Sequence, residues 1–167
     1  MYGEYLHILT HLIRCHVTHF PLYPENGFVI DLTEFVNLAR THDAVIIVNP
    51  NSPTGVYNAN LNSAVGDILD QENGESNCKM IWVDETYIEY VDDAVSLEKL
   101  TSRYDELIIC KSMSKCYALS GLRVAYAVTA NAPRLRRYIP PWAVSLPAQL
   151  GAIAALSNPN YYLNQYM

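Results

Sequence analysis

The stretch Ile108-Ile109-Cys110-Lys111-Ser112-Met113-Ser114-Lys115-Cys116-Tyr117-Ala118-Leu119-Ser120-Gly121-Leu122-Arg123 decides how this chain folds. Its apolar beginning predicts a short buried strand that ends on polar residues. Two hydroxyls, an amine and a guanidinium follow in the loop. Hydroxyls and a guanidinium bind phosphate oxygens, and the amine of Lys115 can condense with an aldehyde. The stretch therefore predicts a strand whose carboxyl end holds phosphate-binding groups around a nucleophile.

Two further motifs precede this stretch, each after an apolar run. They are Asn49-Pro50-Asn51-Ser52-Pro53-Thr54-Gly55 and Asp84-Glu85-Thr86-Tyr87. Together with Ser112-x-Ser114-Lys115 and Gly121-x-Arg123, they resemble in order the signatures of fold type I pyridoxal-phosphate (PLP) enzymes of aminotransferase class I/II. The resemblance covers essentially the whole chain, and it is strongest toward the histidinol-phosphate aminotransferase and threonine-phosphate decarboxylase branch. PLP itself joins a phosphate to an aldehyde.

The resemblance implies a role for each matching residue. Lys115 is the amine that forms a Schiff base with PLP and afterwards transfers protons. Asp84 pairs with the pyridine nitrogen and so helps the ring accept electrons, and the Tyr87 hydroxyl reaches the 3′ oxygen. The phosphate is bound by the remaining polar residues of the opening stretch, Ser112, Ser114 and Arg123.

Three other positions have weaker matches. The resemblance implies that the aromatic ring of Tyr2 stacks on the cofactor ring. Ser52 stands where the family has an asparagine that contacts the 3′ oxygen, and Asn51 lies one place earlier. A serine hydroxyl is shorter than an amide and lacks its NH₂ group, so we expect a weaker or water-mediated contact from Ser52, with Asn51 as the alternative.

The order of the apolar runs predicts an α/β fold. Strands separated by helical crossovers form a parallel sheet that carries its polar groups at one edge. The resemblance implies the three-layer sandwich of a fold type I large domain, with a mostly parallel sheet and an antiparallel last strand. The predicted strands span residues 17–22, 44–48, 79–83, 107–110 and 123–128.

Periodicity and helix-start signals predict the helices between these strands. The first has leucines and an isoleucine at helical spacing, and the second begins with the capping-box pattern Asp31-x-x-Glu34. Another begins at Leu146-Pro147, with proline near its first position, and is broken by Asn158-Pro159. The predicted helices span residues 4–14, 31–41, 60–71, 96–103, 146–157 and 161–167, and one more precedes Pro140-Pro141.

Composition excludes several classes of protein. A net charge of −6 disfavours nucleic acid as a partner, because Arg134, Arg136 and Arg137 form the only basic cluster and fit a solvated helix face. The apolar runs are far shorter than the ~20 residues that span a bilayer, so no membrane partner is predicted. Four cysteines without CxxC spacing indicate reduced thiols in the cytoplasm.

A histidine pair is the one candidate for a metal site. His7 and His11 lie one helical turn apart, but the segment lacks the glutamate of HExxH and offers no third ligand. Solvated or core-edge histidines are the simpler interpretation, and we predict no metal site.

The resemblance also implies a domain organisation and an activity. Residues 1–167 correspond to part of the PLP-binding large domain, without the amino-terminal segment and the carboxy-terminal small domain of the family. We expect exchange of an amino group between an amino acid, of histidinol-phosphate type, and a 2-oxo acid in a homodimer. Two alternatives remain open, namely decarboxylation of a threonine-phosphate-like substrate and a non-catalytic cofactor-binding module.

Overall fold

The sheet is built from four strands in the order of the chain. The computed structural model describes residues 3–70 and 75–166. Strand β1 (Ala44–Val48) pairs in parallel with β2 (Met80–Asp84), and β2 pairs in parallel with β3 (Leu107–Ser112). Strand β4 (Ala125–Val128) pairs antiparallel with β3. The predicted mostly parallel α/β sheet with an antiparallel last strand is thus confirmed.

Helices α2 (Leu32–Ala39) and α3 (Leu61–Leu69) cover one face of the sheet. The Asp31 carboxylate caps α2 by accepting from the backbone N–H groups of Thr33 (2.9 Å) and Glu34 (3.0 Å), as the sequence pattern predicts. Side chains that alternate along the strands fill the space between these layers. The main core contains Val45, Ile47, Leu61, Val65, Ile68, Ile81, Val83, Leu107 and Ile109.

The opposite face of β2 meets the first helical segment of the described chain. This segment is α1 (Gly3–His7), which continues as a π-helix over Ile8–Ile13. Tyr5 of α1 reaches the side chains of Trp82 and Asp84, which alternate with the core residues Ile81 and Val83. Two different helical layers therefore flank β2.

The remaining helices are short or lie beyond the sheet. The 3₁₀ segments span Pro24–Asn26, Ile88–Tyr90, Leu97–Ser102 and Ser120–Leu122. They are followed by α4 (Ala132–Arg136), α5 (Leu146–Leu156) and α6 (Pro159–Tyr166). A second, smaller core cluster contains Met113, Val124, Ala148 and Ala155. Within the described ranges, no helix combines the length and the apolar character needed to cross a membrane.

The strand predicted over residues 17–22 is wrong. The segment has no regular secondary structure, and Phe20 packs edge-on against Phe35 of α2 with ring centroids 5.4 Å apart. The Thr18 hydroxyl lies 2.9 Å from Nε2 of His42. A cavity of about 590 Å³ is lined by both this segment and β1. This alternating segment packs on helix α2 and does not pair with β1.

Candidate active site

The carboxyl ends of β1, β2 and β3 form one continuous edge. The backbone N–H of Asn49 donates to the Asp84 carbonyl at 2.9 Å, and that of Glu85 donates to the Cys110 carbonyl at 2.9 Å. The parallel register therefore continues one residue past the strands. It brings the two motifs that end β1 and β2 beside the start of the Ser112 loop.

The Asp84 carboxylate is held on both of its oxygens. Tyr5 donates its hydroxyl to one oxygen at 2.7 Å, and the backbone N–H of Thr86 donates to the other at 2.9 Å. The indole N–H of Trp82 donates to the Tyr5 oxygen at 3.1 Å. Burial, and then the hydrogen bond to Asp84, raise the pKa of Tyr5, so its hydroxyl stays protonated and remains a donor.

Sequence reasoning missed Tyr5. In the sequence it lies three residues after Tyr2, a spacing typical of one helix face, and that spacing is the signal that the sequence offers. Tyr2 itself lies outside the described residues.

The loop after β1 is tied internally. The buried Asn49 side chain accepts from the backbone N–H of Asn58 at 2.9 Å and donates to its carbonyl at 3.3 Å. Asn51 donates its side-chain amide to the Thr54 hydroxyl at 2.8 Å. The Asn51 amide is therefore engaged within the loop, whereas the adjacent Ser52 is half-buried.

Ser112 and Ser114 form a hydroxyl pair at the end of β3. Their side-chain oxygens are 2.8 Å apart, and the backbone N–H of Ser114 also donates to the Ser112 oxygen at 3.3 Å. The backbone N–H of Ser112 donates to the Thr86 hydroxyl at 3.1 Å. Thr86 thus connects the serine pair to Asp84, and the structure brings these three predicted residues together.

Lys115 and Arg123 are both exposed. Arg123 has a left-handed backbone, with φ of 53°, and its guanidinium donates to the Ser120 carbonyl at 3.3 Å. No hydrogen bond or ion pair among the described residues joins either side chain to Asp84 or to the serine pair. Within the described residues, the amine and the guanidinium of the predicted site are therefore not bonded directly to its carboxylate or hydroxyls.

Tyr87 lies on the turn that follows Asp84. It is half-buried, and its ring centroid lies 6.3 Å from that of Tyr90. Its backbone carbonyl accepts from the N–H of Tyr90 at 3.1 Å, within the short helix Ile88–Tyr90. The turn keeps Tyr87 near the edge that carries Asp84.

A buried lysine and three glutamates lie next to these residues. Lys111 Nζ is 2.9 Å from Glu98, 3.5 Å from Glu89 and 3.6 Å from Glu85. We call these four residues the Lys111 cluster. Burial lowers the pKa of Lys111, but the three carboxylates outweigh it, so the net direction is upward and the amine stays charged. Sequence reasoning missed the cluster, because its lysine and its glutamates come from three separate segments, with Glu85 and Glu89 on one of them.

The nearby thiols are kept protonated. Burial, followed by the charge of Asp84, raises the pKa of Cys110 to about 12. Burial and the charge of Glu89 raise the pKa of Cys116 to about 12. Neither thiol is a nucleophile near neutral pH. In the part of the chain that the structure describes, no group of three His, Cys, Asp or Glu side chains is arranged to hold a metal ion.

The sequence of this chain is similar to sequences of known proteins from one family. The family model described as "Aminotransferase class I and II" matches residues 1–166. A histidinol-phosphate aminotransferase 2 of Gluconobacter oxydans is 33% identical over 150 residues, which cover 86% of this chain and 38% of the relative. The chain therefore spans less than two fifths of that relative's length.

Solved structures agree with the sequence match. The histidinol-phosphate aminotransferase of Clostridium acetobutylicum has a TM-score of 0.81 at 27% identity, covering 99% of this chain and 48% of that one. The enzyme of the same name from Sinorhizobium meliloti, solved in complex with pyridoxal-5′-phosphate, has a TM-score of 0.76 at 20% identity, covering 97% and 42%. The sheet is that of the fold type I large domain. The chain belongs to the class I and II aminotransferase family.

Proposed function

We propose that this chain is the PLP-binding part of an aminotransferase that moves an amino group between an amino acid, of histidinol-phosphate type, and a 2-oxo acid. The observation that carries the proposal is the Asp84 network. The Asp84 carboxylate accepts a hydrogen bond on each oxygen. Thr86 connects it to the Ser112–Ser114 hydroxyl pair at the same edge of the sheet. Homologues of this family bind PLP. We also propose that the chain corresponds to part of the PLP-binding large domain, as the resemblance implies.

The residues present fit that cofactor. The serine pair offers two hydroxyl donors to a phosphate, and Arg123 adds the charge that a phosphate dianion needs. Asp84, with each oxygen already accepting one bond, keeps acceptor capacity for a protonated ring nitrogen. Tyr87 and Ser52 are the proposed partners of the 3′ oxygen, since the Asn51 amide is bonded to Thr54. From the resemblance, we also propose that the ring of Tyr2 stacks on the cofactor ring.

PLP, when bound, supplies an aldehyde that condenses with amines and a ring that accepts electrons. Lys115 would supply the amine that condenses with that aldehyde, and the same amine would carry a proton between the substrate Cα and C4′ of the cofactor. Asp84 holds positive charge on the ring nitrogen by ion pairing. Tyr5 and Thr86 keep the carboxylate in place while this occurs.

The choice between two neighbouring lysines follows from their surroundings. Lys111 is buried and held as an ammonium ion by three carboxylates, so its nitrogen has no lone pair to attack an aldehyde. Lys115 is exposed and makes no ion pair with a carboxylate among the described residues. These facts support Lys115 as the covalent residue.

Homodimer formation and a cytoplasmic location belong to the same proposal. Leu150, Ile153 and Leu156 of α5 are exposed at 59%, 62% and 47%, which supports burial against another surface. The four cysteines are free thiols, which supports a reducing compartment.

The test is a single-turnover reaction with PLP and an amino donor such as L-histidinol phosphate. Transfer of the amino group to the cofactor, measured by chromatography, is the expected result. Release of carbon dioxide from a threonine-phosphate substrate would instead establish the decarboxylase. Cofactor binding without either reaction would leave the chain, taken alone, as a binding module and would contradict the proposed activity for it.

A further inference from the structure

The Lys111 cluster lies directly behind the proposed cofactor site. Along β3, Lys111 continues the row of Leu107 and Ile109, which face the main core. Ser112 belongs to the alternate row. Along β2 and its extension, Glu85 continues the row of Val83, whereas Asp84 faces Tyr5. The cluster and the proposed cofactor residues therefore occupy opposite faces of the same two strand ends.

The cluster is well formed and shielded from solvent. The Lys111 side chain is 8% exposed and that of Glu85 is fully buried. Glu85 also accepts from the Ser96 hydroxyl at 2.5 Å and from the backbone N–H of Leu97 at 2.8 Å. Such groups stay buried only when they are paired, so removing the lysine leaves carboxylates without their cation.

The cluster brackets Tyr87. Glu85 and Glu89 lie two residues before and two residues after it, and both contact the same Lys111 ammonium. The backbone N–H of Ile88 donates to the Glu85 carbonyl at 3.1 Å, which closes the turn between them. Both ends of the segment that carries Tyr87 are thus fixed to one atom of β3, and the residue after Lys111 is Ser112.

We propose that Lys111 is a positioning residue that fixes the spacing between Tyr87 and the Ser112–Ser114 hydroxyl pair. The inference deepens the proposed function and rests on it. Lys111 touches neither cofactor nor substrate in this assignment. It acts by holding the turn of Tyr87 against β3, so that the 3′ oxygen and the phosphate of one PLP molecule meet their partners together. A displacement of about 1 Å at such a contact is enough to cost a large factor in function.

The test compares three variants of the chain. Lys111→Met removes the charge but keeps most of the side-chain volume, Lys111→Arg keeps the charge, and Lys99→Met removes an exposed lysine of the neighbouring helix. PLP dissociation constants and the pH midpoint of the visible Schiff-base band are measured by absorption. Thermal unfolding followed by circular dichroism shows whether each variant is folded.

We expect Lys111→Met to bind PLP about tenfold more weakly or worse, with a displaced band midpoint. Lys111→Arg should restore both quantities to near the wild-type values, and Lys99→Met should change neither. A folded Lys111→Met variant that binds PLP with the wild-type constant and midpoint overturns the proposal. A wild-type chain without any band contradicts the proposed function itself, which separates the two failures.

A milder variant covers the case in which Lys111→Met does not fold. Glu98→Gln removes the carboxylate nearest to Lys111 while leaving an amide of similar shape, and its side chain is 35% exposed. We expect about threefold weaker PLP binding from a partial release of Lys111. Unchanged binding and an unchanged band midpoint in Glu98→Gln would then overturn the proposal.

Discussion

The two halves of the proposed site differ in how they are held. The anchored half consists of Asp84, Thr86, Ser112 and Ser114, and hydrogen bonds connect all four. The loop half consists of Lys115 and Arg123, which are exposed and lie on either side of a turn. The parallel register of β2 and β3 positions the residues of the anchored half. The second half lies in a loop that packs through Met113 and Val124, while the side chains of Lys115 and Arg123 stay exposed.

This difference indicates that ligand binding mainly orders the side chains of the loop half. A phosphate bound at the serine pair, as proposed, would attract the Arg123 guanidinium through a charge-assisted bond stronger than its present bond to the Ser120 carbonyl. Ordering an exposed side chain costs conformational entropy, so part of the binding energy is spent on the loop half. Substitutions in the anchored half should therefore change both stability and binding, whereas loss of a loop-half side chain, without a change in backbone freedom, should change binding alone.

The largest effect is expected from Lys115→Ala. The variant should lose the borohydride-stable adduct with PLP completely, because no other amine at this edge is free to react. Its melting temperature should equal that of the wild type, because Lys115 is exposed. Mass spectrometry after reduction measures the adduct, with Lys99→Ala as the control. An undiminished adduct in Lys115→Ala would break the assignment of the loop half.

Asp84→Ala should combine two effects. Loss of the ion pair with the ring nitrogen should weaken PLP binding by about a hundredfold, which corresponds to about 2.7 kcal/mol. The folded chain should also lose about 1–3 kcal/mol of unfolding free energy, since Tyr5 and Thr86 lose their acceptor. Absorption titration and urea unfolding measure the two quantities. Weaker PLP binding with an unchanged free energy of unfolding would show that the hydrogen bonds to Asp84 do not stabilise the anchored half.

Arg123→Gly and Arg123→Ala separate the guanidinium from the backbone. Both should weaken PLP binding by about tenfold, through loss of the phosphate contact. Only Arg123→Gly should gain unfolding free energy, by about 0.5–1 kcal/mol, because residue 123 has a φ of 53° that glycine adopts without strain. Equal PLP binding by wild type and both variants would remove Arg123 from the site.

Tyr5→Phe should give the smallest change in binding, about two- to fivefold, because Asp84 keeps its bond from Thr86. Its effect on stability depends on pH. Burial and Asp84 raise the pKa of Tyr5 above its ordinary value, so the folded chain retains the hydroxyl proton more tightly than the unfolded chain. The stabilisation is complete below about pH 10 and is lost as the pH rises through the folded-state value.

Wild type should therefore lose stability above about pH 10 relative to Tyr5→Phe. Urea unfolding of both proteins at several pH values measures this difference. Tyr138→Phe, at a residue that is 77% exposed, is the control and should follow the wild-type curve. A constant difference between wild type and Tyr5→Phe across the alkaline range would show that Tyr5 does not hold its proton against Asp84.

Much of the fold is predictable from local pattern. The strands predicted over residues 44–48, 79–83 and 107–110 agree with β1, β2 and β3 to within two residues at each end, since continuous β-branched runs are typical of buried parallel strands. The segment 17–22 has an alternating pattern instead, and it packs on α2 through Phe20. Alternation reports a half-buried segment and does not supply a strand partner.

The candidate site shows the same limit. The sequence predicted phosphate-binding hydroxyls at the end of β3 and polar groups along one edge of the sheet, and the resemblance implied that Asp84 belongs to the same site. The bond from Tyr5 and the Lys111 cluster depend on side chains brought together from distant segments, so local sequence pattern does not encode them. The cofactor contacts of every predicted site residue, Asp84 and the serine pair included, stay predictions.

Mapping the covalent adduct of the wild-type chain tests directly whether Lys115 is the residue that binds PLP. The protein is mixed with PLP, its visible spectrum is recorded, the Schiff base is reduced with borohydride, and the labelled peptide is sequenced. We expect a visible band and a label on Lys115, with Lys111 unlabelled. A label on Lys111, or labels scattered over the exposed Lys79 and Lys99, would contradict this expectation.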